Sequence, residues 1–237
     1  MTDTNAKVAV VTGASQGIGA ATVAAYRKLG WSVVATSRGI TPSDDPGVLA
    51  VPGDITDPSV GPRVIEAGLR EFGRIDTLVN NAGIFVAKPF TAYDGSDFRS
   101  MIDINLGGFF AITQPAVEAM LAGEGGHVVT ITTSLTDHAN SSLASALASL
   151  TKGGLNSATK ALAIEYATRG VRFNAVSPGV ISTPMHPAET HDFLKALHPV
   201  GRMGAVSDIT DAILFLENAP FVTGEILHVD GGQSAGH

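Results

Sequence analysis

Short runs of β-branched and aliphatic residues alternate along this chain with longer Ala-rich or amphipathic stretches. Lys7 to Thr12 is such a run and ends at Gly13; Gly17 to Leu29 then reads as a helix that Gly30 stops. Trp31 to Ser37 and Val48 to Val51 predict the second and third strands. Pro58 to Phe72 predicts a helix with Pro62 in its first turn, where a missing N–H is tolerated. Asp76 to Asn80, His127 to Thr132, Val171 to Val176 and Glu225 to Val229 predict the remaining strands. Between them lie long helical spans at Asp97 to Leu121, with a bend expected near Gly107-Gly108 or Pro115, and at Ser142 to Thr168. Asp208 to Glu217 predicts a late helix. Continuous apolar strands separated by helices are the signature of a parallel sheet covered on both faces. The pattern therefore predicts an α/β fold: one doubly wound domain over residues 1–237, a mostly seven-stranded parallel sheet, and a ligand crevice at the carboxyl ends of the strands.

Composition narrows the classes. Of 237 residues, 44% are hydrophobic and 16% charged, which excludes a chain too polar to bury a core. The 27 glycines follow no Gly-x-y period, so the protein is not fibrous. The absence of Cys excludes a disulfide framework, a thiolate metal site and a Cys nucleophile. The histidines show no metal-ligand spacing, and no metal is expected. A formal net charge of −7 without a basic stripe argues against nucleic acid as a partner. Met1 to Lys7 is polar and lacks the apolar run of a secretion signal, and no uninterrupted apolar stretch reaches the roughly 20 residues of a membrane helix. The expectation is a cytoplasmic protein acting on a small molecule, away from membranes.

The chemistry begins at Thr12-Gly-Ala-Ser-Gln-Gly-Ile-Gly19. Three glycines alone are only a flexible turn. Placed between a strand and a helix, they permit close backbone approach, and the helix N-terminus offers unpaired N–H groups to a pyrophosphate. Gly13, Ser15, Gln16, Gly17, Ile18 and Gly19 are thus candidates for holding a dinucleotide. At the end of the second strand, an acidic residue would bind the free 2′-hydroxyl of NAD; Ser37 and Arg38 stand there instead, and a hydroxyl beside a cation accepts a 2′-phosphate. The competing reading of Arg38 is a cation that merely faces solvent.

Taken together, the Gly-rich turn, Gly53-Asp54, Asn80-Asn-Ala-Gly83, Asn105, Ser134, Lys152, Ser177-Pro-Gly179 and Val229-Asp-Gly-Gly232 resemble the short-chain dehydrogenase/reductase family nearly end to end. The resemblance implies NADP(H) as cofactor. It places Asp54 and Ile55 against the adenine, and Asn81, Ala82 and Gly83 at its ribose and the strand behind it. Pro178, Gly179, Val180 and Thr183 are implied to border the nicotinamide, and Lys152 to hold its ribose. It implies catalytic roles for Asn105, at a structural water or proton relay, and for Ser134, orienting the substrate; Thr133 stays open as the alternative hydroxyl. A homo-oligomer, tetramer or dimer, pairing the long helices is implied as well.

One position departs from the family pattern. A Tyr four residues before the Lys, on the same helix face, is the family's proton donor. Here that residue is Ala148, and the three tyrosines, Tyr26, Tyr93 and Tyr166, all lie elsewhere in the sequence. The apolar, small-residue neighbourhood of Ala148 makes a substrate pocket with Thr133 and Met185. Without the phenol, a proton must come from another group, or the substrate must already be cationic, or turnover is absent. His138 and His186 are the candidate proton carriers, and a water relay from the Lys152 ammonium is the third route. The expected activity is NADPH-dependent reduction of a C=N or C=O bond, with the imine preferred because an iminium needs no acid. The rival is a catalytically silent NADP-binding regulator or sensor.

Overall fold

The computed structural model describes residues 6–236. Seven strands, β1 (Val8–Thr12), β2 (Ser32–Ser37), β3 (Val48–Pro52), β4 (Thr77–Asn80), β5 (Gly126–Ile131), β6 (Val171–Pro178) and β7 (Ile226–Val229), form one sheet in the order β3-β2-β1-β4-β5-β6-β7. Every pairing is parallel. The order reverses between β1 and β4, which opens a crevice at their carboxyl ends: a doubly wound, Rossmann-type arrangement.

Helices cover both faces because the strands are apolar on both. All five residues of β1 are buried: Val8 and Val10 pack on one side, Ala9 and Val11 on the other. The first side carries α2 (Val60–Phe72), α4 (Gly108–Ala122) and α5 (Ala146–Tyr166); the second carries α1 (Gly17–Lys28) and α7 (Val206–Glu217). The short α3 (Gly95–Ile102) starts at Asp94, whose carboxylate accepts the N–H groups of Ser96 and Asp97. The five-residue α6 (His191–Lys195) completes the set. Among the described residues, no helix is long and apolar enough to cross a membrane.

Two details differ from the sequence expectation. The single span expected over Asp97 to Leu121 is α3 and α4 joined by a π-helical turn, Asp103–Gly107, so the irregularity falls just before Gly107-Gly108 and Pro115 is accommodated inside α4. The helix expected from Ser142 begins only at Ala146, because Asn140 Oδ1 captures the Ser142 N–H in a local turn. His127, at the head of β5, is buried in a polar network: Glu217 Oε2 accepts from Tyr26 Oη (3.0 Å) and Thr77 Oγ1 (2.8 Å) and meets His127 Nδ1 at 3.2 Å. That network ties the end of α7 to the amino ends of the strands, opposite the crevice.

Candidate active site

The first βα turn is shaped by what its glycines avoid. Gly13 and Gly17 adopt φ of 64° and 55°, which L side chains rarely take. A Cβ on Gly19 would lie 2.2 Å from the Gly13 carbonyl oxygen, so α1 can begin this close to β1 only without one. Asn81 locks the turn to the end of β4, its Nδ2 donating to the Thr12 carbonyl at 2.9 Å. Thr12 Oγ1 in return accepts the N–H groups of Asn81 (3.0 Å) and Ala82 (2.9 Å).

At the end of β2, the Thr36 and Ser37 hydroxyls are buried with no hydrogen-bond partner, beside the exposed Arg38. Buried hydroxyls without partners are uncommon. They and Arg38 line one end of the cavity, and two hydroxyls beside a cation fit a phosphate group. Asp54 lies opposite; its carboxyl is held below the usual range mainly by the N–H and hydroxyl of Thr56, with a smaller contribution from Arg38.

The turn, Ser37-Arg38, Asp54-Ile55 and the ends of β4 to β6 open onto one cavity of about 660 Å³. Its far end is bounded by Thr133, Ser134, Ala148, Lys152, Met185 and His186. Lys152 lies on α5 with its Nζ donating to the Ile131 carbonyl at 2.7 Å. Burial alone pushes its ammonium down to about 8. The π-helical turn carries Asn105 inward: Nδ2 donates to the Ile84 carbonyl and Thr151 Oγ1 (both 3.1 Å), and Oδ1 accepts the Ile84 N–H at 2.9 Å. Both amide hydrogens are thus committed, and Asn105 fixes the backbone that follows Gly83. A Cβ on Gly83 would sit 3.0 Å from Lys152 Nζ and 3.2 Å from Asn105 Oδ1, so the glycine lets all three converge.

Ala148 is 1% exposed and borders the cavity one turn before Lys152. None of the tyrosines lines the cavity. Tyr26 is bound to Glu217, Tyr93 Oη donates to the Val86 carbonyl at 2.7 Å, and the Tyr166 ring lies tilted against Phe173.

The two hydroxyl candidates differ in environment. Ser134 is fully buried and donates to Gln233 Oε1 at 3.0 Å, whereas Thr133 is half-buried at the cavity edge, its Oγ1 accepting only the long Leu135 N–H at 3.4 Å. The two histidines also part. His186 lines the cavity, and burial, helped by His191, holds its imidazole below the ordinary value. His138 does not line it; its backbone N–H donates to the Ser134 carbonyl. Asp137 meets His228 Nε2 at 3.1 Å. Sequence reasoning missed Phe85, Leu143, Leu194 and Gln233 as cavity residues. Gln233 directly follows the Val229-Asp-Gly-Gly232 motif, Phe85 lies two residues past Asn80-Asn-Ala-Gly83, and Leu143 heads the small apolar stretch before Ala148.

With this geometry in place, comparison with known proteins assigns the class. Residues 13–234 match the family model described as enoyl-(acyl carrier protein) reductase. The 3-oxoacyl-[acyl-carrier-protein] reductase of Thermotoga maritima is 33% identical, covering 95% of this chain and 97% of its own. The cis-4-hydroxycyclohexanecarboxylate dehydrogenase of Sinomonas cyclohexanicum is 37% identical, covering 97% of each. Among solved structures, ElxO with NADP bound superposes with a TM-score of 0.90 at 29% identity, over 98% of this chain and 100% of that one. The chain belongs to the short-chain dehydrogenase/reductase family of oxidoreductases.

Proposed function

We propose that this protein is an NADP(H)-dependent reductase of a small carbonyl compound that works without a phenolic acid. The observation that carries the reading is one continuous cavity lined by the Gly-rich turn, by orphaned hydroxyls beside Arg38 at one end, and by Lys152 and Ala148 at the other. The NADP-bound relative and the reductases and dehydrogenase among the other relatives support the cofactor and reaction class.

When bound, NADPH supplies the hydride, which passes to the substrate carbon. The chain's own residues do the rest. Arg38 and Ser37 bind the 2′-phosphate. Thr133, with its hydroxyl at the cavity edge, orients the substrate oxygen; the Ser134 hydroxyl is spent on Gln233. The proton that balances the hydride comes through water from the Lys152 ammonium. With a pKa of about 8 that group is charged at pH 7, whereas the lowered His186 is mostly neutral there. A cationic iminium is the less favoured substrate. Among the described residues no carboxylate lines the Lys152 end of the cavity, so an iminium would meet an ammonium without a counter-charge. The lack of a phenol still motivates the imine as second substrate class, and equally the silent cofactor binder. Exposed Phe110, Leu150 and Ile164 on α4 and α5, 65%, 57% and 80% accessible, are proposed to pair with a second copy.

Two measurements test this reading. NADPH should bind more tightly than NADH, and Arg38→Ala should lose most of that preference, roughly tenfold or more, while leaving NADH affinity unchanged. An unchanged ratio in the variant would remove Arg38 from cofactor selection. The reduction rate should fall as pH rises through about 8, where Lys152 loses its proton. His186→Ala should keep that limb. A limb below pH 6.5 that vanishes in His186→Ala would transfer the proton-donor role to His186.

A further inference from the structure

One wall of the cavity is held by a side chain that the reading above leaves unused. His198, in the loop after α6, is 4% exposed, and its Nε2 accepts the backbone N–H of Val180 at 2.9 Å. An accepting Nε2 puts the proton of the neutral ring on Nδ1. Nδ1 is buried and faces the carbonyls of Leu194 and Lys195 without closing a hydrogen bond to either. The ring sits between two glycines. A Cβ on Gly179 would lie 2.6 Å from His198 Nε2, and one on Gly231 would lie 3.3 Å from His198 Cβ. The imidazole thus occupies space that side chains at the ends of β6 and β7 would fill. The backbone around it is also pinned: the His198 N–H donates to the Lys195 carbonyl, and the His198 carbonyl accepts the Gly201 N–H. Val180 is held from the other direction as well, its carbonyl accepting the Gly204 N–H at 2.9 Å.

We propose that His198 is a positioning residue for the nicotinamide half of the cofactor: its neutral imidazole fixes the Gly179-Val180 backbone that walls that end of the cavity, and protonation releases it. The inference rests on the proposal that the nicotinamide lies along Pro178 to Thr183. The imidazolium is donor-only, so in that form it would turn an N–H toward the Val180 N–H. Asp230 is the acid that faces the ring, but its carboxylate already accepts the N–H groups of Gly232 and Ser234. Lys195 turns its ammonium to Asp192. Burial outweighs the pull of the Leu194 and Lys195 carbonyls and the smaller pull of Asp230, and holds the imidazole below its ordinary value, so the gripping form prevails at neutral pH.

The test is calorimetric titration of the purified protein with NADP⁺ and with 2′-phospho-ADP-ribose, which keeps the pyrophosphate and both riboses, from pH 8.5 to 5.5. The second ligand keeps the adenine and 2′-phosphate but has no nicotinamide. The ratio of the two affinities therefore cancels phosphate titration and isolates the His198 end. In the parent the ratio should favour NADP⁺ and fall severalfold toward acid pH. His198→Leu should show a ratio roughly tenfold below the parent's at pH 8 and flat with pH, since the Val180 N–H has lost its acceptor. His198→Gln, whose Oε1 can accept that N–H without titrating, should keep most of the parent ratio and lose the acid fall. His186→Gln should keep the fall. Unchanged 2′-phospho-ADP-ribose affinity in the variants shows that they are folded; were His198→Leu to fail that check, the flat profile of His198→Gln decides. A parent-like ratio in His198→Leu, or an acid fall that persists in His198→Gln, would overturn the role. A parent that binds the two ligands equally at every pH would overturn the nicotinamide placement beneath it.

Discussion

Replacing Ala148 with Tyr is expected to raise ketone reduction by up to roughly 10²–10⁴, the usual contribution of a positioned general acid. Ala148 lies one helical turn before Lys152, so both side chains project from the same face of α5. It borders the cavity, leaving an added ring room to extend into it, although Met101 and Leu147 pack behind it. The Lys152 ammonium would favour the phenolate and lower the phenol's pKa toward the working range. Reduction of a protonated iminium should gain nothing, since it needs no acid, and should fall where the ring takes up substrate space. The quantity to measure is the ratio of ketone to imine kcat/KM. A flat ratio in a variant that folds and binds NADPH would mean that Ala148 is not beside the reacting atom.

Lys152→Ala should cost both binding and chemistry. The Lys152 Nζ donates one of its three hydrogens to the Ile131 carbonyl, leaving two for a ribose hydroxyl or a relay water. Its removal should weaken NADPH binding roughly tenfold and slow reduction by roughly 10²–10⁴, because the proton source goes with it. The pH limb near 8 should also vanish. Steady-state rates and a fluorescence titration separate the two losses. A collapse of turnover at unchanged NADPH affinity would assign Lys152 to direct proton transfer alone, with no share in holding the ribose.

The sheet was legible in the sequence because strands buried on both faces leave unbroken apolar runs, as in Val8 to Thr12. The phosphate turn was legible because its glycines are demanded by backbone geometry rather than by distant partners. The π-helical turn at Asp103–Gly107 was legible only as a weak point near two glycines; that it delivers Asn105 to the Ile84 backbone depends on a contact between helix and loop. The different surroundings of Thr133 and Ser134 were not legible. The 3₁₀ turn that starts at Ser134 sends that side chain to Gln233, 99 residues away in the sequence. The contact of His198 with the Val180 backbone was not legible, since nothing in the local pattern ties the two residues together. Pairings across loops leave no periodicity to read.

Hydride is expected to leave a bound nicotinamide in this cavity although none of the tyrosines lines it. Incubating the protein with NADPH deuterated at the transferring C4 position and a panel of small ketones and cyclic imines tests it directly. The expected product is a deuterated alcohol, with the label on the former carbonyl carbon, formed at rates that drop in Lys152→Ala. NADPH that binds tightly yet delivers no label to any ketone or imine of the panel would contradict it and leave a silent cofactor binder.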